Sequence, residues 1–145
     1  VHGRGQAYFA LGRHDILTLR AEAGYTFASS RQGIPQDYLF RAGGTGSVRG
    51  YAYQSLGVRE GAAIVGGRYL ATASIEETHW LDEQWGIAVF ADAGDAVDQL
   101  RHVHPALGYG LGARWKSPAG PIAVDLAWGQ RRQGLQLHFA LAIPF

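Results

Sequence analysis

Apolar and polar positions alternate along most of the chain with a period of two, which places every second side chain on one face of a β-strand. At the C-terminal end Leu135, Leu137, Phe139, Leu141, Ile143 and Phe145 are apolar, whereas Gln136, His138, Ala140, Ala142 and Pro144 between them are polar or small. Leu17, Leu19, Ala21, Ala23, Tyr25 and Phe27 alternate in the same way with Thr18, Arg20, Glu22, Gly24 and Thr26. A helix would mix those two sets. Further strands are predicted around Tyr69 to Glu76, Ile87 to Gly94, Leu107 to Lys116 and Ile122 to Trp128, with a weaker first strand around Gln6 to Leu11. The pattern predicts seven strands.

Their connections fall into two classes. Segments 12–14, 80–84 and 117–120 read as compact turns, whereas 29–67 is far longer and 95–104 is intermediate. Short and long links alternate, as in hairpins whose ends face two compartments. Trp80, Trp85 and Trp115 gather towards the short turns, and Tyr25, Phe27 and Trp128 towards the other end, like two interfacial girdles. The chain thus divides into two strands over 1–28, a long loop over 29–67 and five strands over 68–145. A soluble sandwich with one wet face also alternates. The second face here, however, carries Arg20, Glu22, Glu76, Asp92, Arg114 and Asp125 among many Gly and Ala residues, which suits a polar lumen. The expected class is all-β, an antiparallel transmembrane β-barrel. Since bacterial single-chain barrels have an even strand number, seven strands imply part of a larger one.

Composition narrows the functional classes. Lys+Arg number 13 against Asp+Glu 12, too balanced for a nucleic-acid-binding module. With 21 Gly and 5 Pro a helical bundle is excluded. No Cys is present, so disulfides, thiolate metal sites and thiol catalysis drop out. The absence of Met reads as a mature product or an excised piece. Neither a signal-peptide pattern nor an apolar run long enough for a membrane-spanning helix is present.

The long loop holds the candidate chemistry. At its middle lies Gly43-Gly44-Thr45-Gly46-Ser47-Val48-Arg49-Gly50-Tyr51, a single Arg among residues that permit tight backbone and close contact. A dinucleotide fingerprint fails because Arg49 stands where the third Gly belongs, and no Lys supplies a phosphate loop. A nucleophile elbow fails because Thr45-Gly46 precede Ser47. His102 and His104 have same-face spacing but lack an evident third metal ligand and read as exposed loop histidines. Asp92, Asp95 and Asp98 lack the spacing of a calcium loop, and Asp95 and Asp98 read as solvated loop charges. Glu76 and Glu77 fall on opposite strand faces and cannot form an acid/base couple. No enzyme activity, cofactor or metal is expected.

The Val48-Arg49-Gly50-Tyr51 loop, the Phe90-Ala91-Asp92-Ala93-Gly94 strand, the hairpin from Arg114 to Pro121 and the terminal Phe145 resemble, in this order, the C-terminal part of an Omp85-superfamily (surface antigen D15-like) barrel. The resemblance covers essentially the whole chain and is strongest to the TamA branch. It implies roughly the last seven strands of a sixteen-stranded outer-membrane barrel. It also implies upstream POTRA domains, and a long loop folded back into the lumen, where Arg49 meets Asp92 and Glu76 joins the network. Arg can grip a carboxylate with two parallel N–H donors, so such a pair fixes the loop's register. The final strand, with Phe139, Leu141, Ile143 and Phe145, resembles an outer-membrane targeting signal and one side of a seam open to strand addition. It has no late Gly, and Pro144 removes a ladder donor instead.

The implied function is assembly or insertion of β-barrel or autotransporter proteins in the bacterial outer membrane. Expected partners are outer-membrane lipid, client barrels and a periplasm-spanning TamB-like protein. A two-partner-secretion pore or a small standalone outer-membrane β protein would also carry these patterns.

Overall fold

The computed structural model describes residues 1–141; the predicted signal residues Ile143 and Phe145, with Pro144, lie outside them. One antiparallel sheet is built from β1 (His2–Ala10), β2 (Asp15–Tyr25), β5 (Tyr69–Trp80), β6 (Trp85–Val97), β7 (Ala106–Ser117), β8 (Gly120–Gly129) and β9 (Gly134–Leu141). These seven strands are hydrogen-bonded in chain order. The first strand runs from His2 rather than Gln6. Its register against β2 extends the alternation past the weakly patterned Gly3 and Gly5, because the ladder with Ala21 and Ala23 needs only backbone groups.

Two-residue periodicity gives the sheet two chemically distinct faces. On the outer face Leu17, Glu77, Val89, Leu111, Leu126 and Leu137 form one cross-strand row, and Leu19, Ile75, Ala91, Tyr109, Trp128 and Leu135 the next. Leu111, Leu137 and Phe139 are more than 60% exposed, and the apolar face they share is far broader than single exposed side chains require. Aromatic pairs mark both ends of this face. Trp85 and Trp115 stack at 5.3 Å beside the short turns, while Tyr25 lies 4.6 Å from Tyr69 and 4.4 Å from Phe27 at the other end. Trp80 does not join the first group. Its strand parity is that of Thr78 and Glu76, so it points inward, where the Lys116 ammonium sits 3.8 Å above its ring.

The connections at 11–14, 81–84 and 118–119 lie on one side and those at 26–68, 98–105 and 130–133 on the other. Short periplasmic turns and longer extracellular loops fit that division. In the 81–84 turn the Asp82 carboxylate accepts the N–H groups of Gln84 and Trp85, both at 2.7 Å, which hold its pKa below the usual carboxylate range.

The segment 26–68 is ordered by its own contacts. It contains a 3₁₀ turn (Gln36–Tyr38) and a small hairpin, β3 (Val58–Glu60) with β4 (Ala63–Val65), which the sequence pattern left undivided. Three-residue strands are too short to display alternation. Backbone bridges join Phe40 to Gly67 and Ala42 to Leu56. Ala42, Val48, Tyr51 and Leu56 then pack on Leu70, Ala96 and Ala106 of the sheet, so the principal apolar core lies between loop and sheet. Asp95 and Asp98, expected to be solvated, are drawn into this structure. Asp95 is buried and accepts the N–H of Ala96 and of His104, while Asp98 pairs with Arg68 at 2.9 Å. The loop covers them, and buried carboxylates require such donors.

Candidate functional site: an arginine-centred cluster on the inner face

Strand register assembles the site from residues far apart in sequence. Ser74 of β5 stands opposite Asp92 of β6, Glu76 opposite Phe90, and Asp125 of β8 opposite His138 of β9. All point to the inner face, with Arg20 in the row of Ser74 and Asp92 and Arg114 in a nearby row. Without the loop, three carboxylates would share this surface and repel.

Arg49 enters among them. Its Nε and Nη2 donate to the two oxygens of Asp92 at 2.8 and 2.9 Å, and its own backbone N–H donates to Asp92 at 2.9 Å. Nη1 donates to Glu76 at 2.6 Å and to Asp125 at 3.0 Å, and Nη2 also reaches Ser74 Oγ at 3.3 Å. The guanidinium carbon lies 3.4 Å from the centroid of the Phe90 ring, which adds a cation–π contact. Arg49 and Asp92 are only 3% and 2% exposed. Arg114 closes the network from β7, contacting Glu76 at 2.8 Å and Asp125 at 2.5 Å. Arg20 donates to the carbonyl of Ser47 at 3.2 Å. Two arginines thus balance most of the charge of three carboxylates. Desolvating each ion costs several kcal/mol, so the cluster's main consequence is position rather than net stability.

The residues flanking Arg49 fix the backbone that delivers it. Val48 is fully buried against Gly94, where an added Cβ would come within 2.9 Å of a Val48 methyl. Gly50 adopts φ +92°, and a side chain there would also meet the backbone of Trp128 and Gly129 at 2.7–2.8 Å. Its N–H donates to His138 Nε2 at 2.9 Å, tying the loop to β9. The Tyr51 hydroxyl donates to the Leu107 carbonyl and accepts the N–H of Arg131, both at 2.9 Å.

Val48, Arg49, Gly50, Tyr51, Glu76, Phe90, Asp92 and Gly94 are therefore brought together in one contact region. Phe139 and Leu141 are elsewhere, on the outer face of β9. His102 is exposed, and no group of three or more potential metal ligands occurs among the described residues.

Sequence reasoning placed Arg114 and Asp125 on the polar face without assigning them to the site. It missed His138 and Gly108. Gly108 admits the loop: an added Cβ would lie 1.7 Å from the Arg49 carbonyl oxygen. The signal for it was the Gly108, Gly110 and Gly112 series at inward parity, which empties one strand of side chains where the loop must pass.

The Omp85 superfamily domain model matches residues 1–145. The fold is also similar to the crystal structure of BamA from Haemophilus ducreyi lacking POTRA domains 1-3, with a TM-score of 0.76 at 20% identity. That match covers 95% of this chain and 33% of the other, so the chain spans about a third of the solved protein's length. An inner face filled by an arginine-anchored loop, an apolar outer face and a family match over the whole chain lead to one conclusion: this chain belongs to the Omp85 superfamily and forms part of an outer-membrane β-barrel.

Proposed function

We propose that the protein inserts or translocates β-barrel or autotransporter clients at the outer membrane, without enzymatic chemistry, and that docking of the 26–68 loop is required for this activity. The observation that carries the reading is Arg49, held by Asp92, Glu76 and Asp125 from β6, β5 and β8. One side chain thereby couples three strands to a loop that occupies the lumen.

The finer reading assigns the chain to the TamA branch, with a TamB-like periplasmic partner engaged through upstream POTRA domains. Support comes from the order of the loop, strand, hairpin and terminal motifs. In this reading β9, with Phe139 and Leu141 and the terminal Ile143 and Phe145, forms the targeting signal and one side of the seam where client strands are received.

The test is complementation by the full-length gene carrying Arg49→Ala, with heat-modifiable gel migration to verify the folded barrel. The variant should insert normally, lose most client assembly and expose residues 52–65 to protease; Asp92→Ala should behave alike. Wild-type complementation by both variants would overturn the proposal.

A further inference from the structure

On the extracellular side the 130–133 turn faces the β3–β4 hairpin across a cavity of about 470 Å³. Arg59 and its ladder partner Ile64 line it from the hairpin and Arg131 and Arg132 from the turn, Tyr51 and Ser55 also line it, and no carboxylate does. The acids nearby are engaged elsewhere: Glu60 pairs with Arg31 and Asp98 with Arg68, each at 2.9 Å. Asp95 lies 4.0 Å from Arg131 but is held by the backbone of Ala96 and His104. Arg131 donates to the His104 carbonyl and Arg132 to the Gln136 side chain, each with one terminal nitrogen. Arg59 has neither an ion pair nor a side-chain hydrogen bond among the described residues. Three exposed guanidiniums around one opening repel one another unless an anion joins them.

The height of this opening selects the anion. Trp128 is on the outer face immediately before the turn, and aromatic residues of that kind sit at the headgroup level. Arg131 and Arg132 follow three and four residues later, within reach of the headgroups. The opposite rim lacks this bias, since Arg13 and Lys116 there are accompanied by Asp82 and Glu83 around one cavity.

We propose that Arg59, Arg131 and Arg132 form a binding site for the phosphate of an anionic lipid headgroup in the outer leaflet. A phosphomonoester offers several acceptor oxygens to guanidinium forks approaching from two sides, which matches a cleft with arginines on both walls. The hydrogen bond from the Arg131 N–H to Tyr51 places the site in direct contact with the loop motif. This site does not depend on the insertase reading, only on residence in the outer membrane.

The experiment uses the full-length protein in phosphatidylcholine nanodiscs, titrated with diphosphoryl lipid A and with the same lipid after enzymatic dephosphorylation, bound lipid being counted by native mass spectrometry. The phosphorylated form should bind about tenfold tighter or more. Substituting Arg59→Gln, Arg131→Gln and Arg132→Gln together should abolish that difference, and Arg101→Gln, outside the cleft, should preserve it. Because the Arg59 side chain makes no ion pair or hydrogen bond among the described residues, Arg59→Gln alone should leave the hairpin intact and still weaken binding severalfold if the triple variant does not fold. Unchanged preference in Arg59→Gln, or an equal loss in Arg101→Gln, would overturn the site. Displacement of the lipid by millimolar inorganic phosphate would support the anion site and overturn its assignment to lipid.

Discussion

At the scale of single residues, the question is why the motif requires Arg rather than any cation. Arg49 engages three carboxylates at once, Asp92 through Nε and Nη2 and both Glu76 and Asp125 through Nη1, and its guanidinium carbon lies over the Phe90 ring. A Lys ammonium keeps the charge but is a point with three donors, unable to make the two-pronged contact with Asp92. Arg49→Lys should therefore lose about 2–3 kcal/mol of loop docking, close to the 3–5 kcal/mol typical of removing one partner of a buried pair. When cleavage follows the population of the open form, that appears as about thirtyfold or more faster proteolysis of the loop. Protection equal to wild type would mean that charge alone holds the loop. The inward placement of Asp92, Glu76, Arg114 and Asp125 was legible in the sequence because parity along a strand needs no partner. The meeting of Asp92 and Glu76 around Arg49 was implied by the family resemblance, whereas the addition of Arg114 and Asp125 to that cluster was not legible, since it depends on which residues of adjacent strands pair. His138 escaped notice for that reason: it gains meaning only when β9 is aligned with β8 and the loop descends onto both.

At the scale of elements, a loop can enter a lumen only where strands leave space. β7 provides it through Gly108, Gly110 and Gly112, whose inward positions would otherwise be filled by side chains. The Gly108 contact is the tightest against the loop backbone, because a Cβ there would fall 1.7 Å from the Arg49 carbonyl oxygen, and a carbonyl cannot rotate away as a side chain can. Gly108→Ala should displace the loop and reproduce the protease sensitivity of Arg49→Ala while every charge of the cluster remains present. Gly5→Ala on β1, where an added methyl meets nothing within 4 Å, is the matched control and should leave the loop protected. A protected loop in Gly108→Ala, measured by the same limited proteolysis, would show that the backbone accommodates the methyl and that packing on β7 does not set the docked position. Seven main strands could be read from alternation, whereas the β3–β4 hairpin could not. Each of its strands is only three residues long, and its position is fixed by bridges such as Ala42 to Leu56 that leave no periodic trace.

At the scale of the whole molecule, one sheet separates two solvents, and this makes exposure misleading as a guide to tolerance. Leu111 is 62% exposed and lies mid-strand in β7, in a row with Val89, Leu126 and Leu137. In a water-soluble sandwich an exposed position of this kind accepts a charge within about 0.5 kcal/mol. In a barrel its surroundings are hydrocarbon, and Arg near the bilayer midplane costs about 2–4 kcal/mol. Gln6 of β1 is also exposed but faces the inner cavity of about 370 Å³, where water can solvate a cation. Leu111→Arg should accordingly destabilise the full-length protein in lipid vesicles by about 2–4 kcal/mol in urea titrations, whereas Gln6→Arg should stay within about 0.5 kcal/mol of wild type. Equal tolerance at both positions would remove the outer face from the hydrocarbon. Equal intolerance would instead place both faces in a dry interior, which the row of Arg20, Ser74 and Asp92 on the inner face contradicts. The predicted asymmetry between two exposed residues on opposite faces is thus a measurement of the solvent on each side, and the position of Arg49 follows from it: three carboxylates can share the inner face only because that face is wet or, where the loop covers it, supplied with a cation.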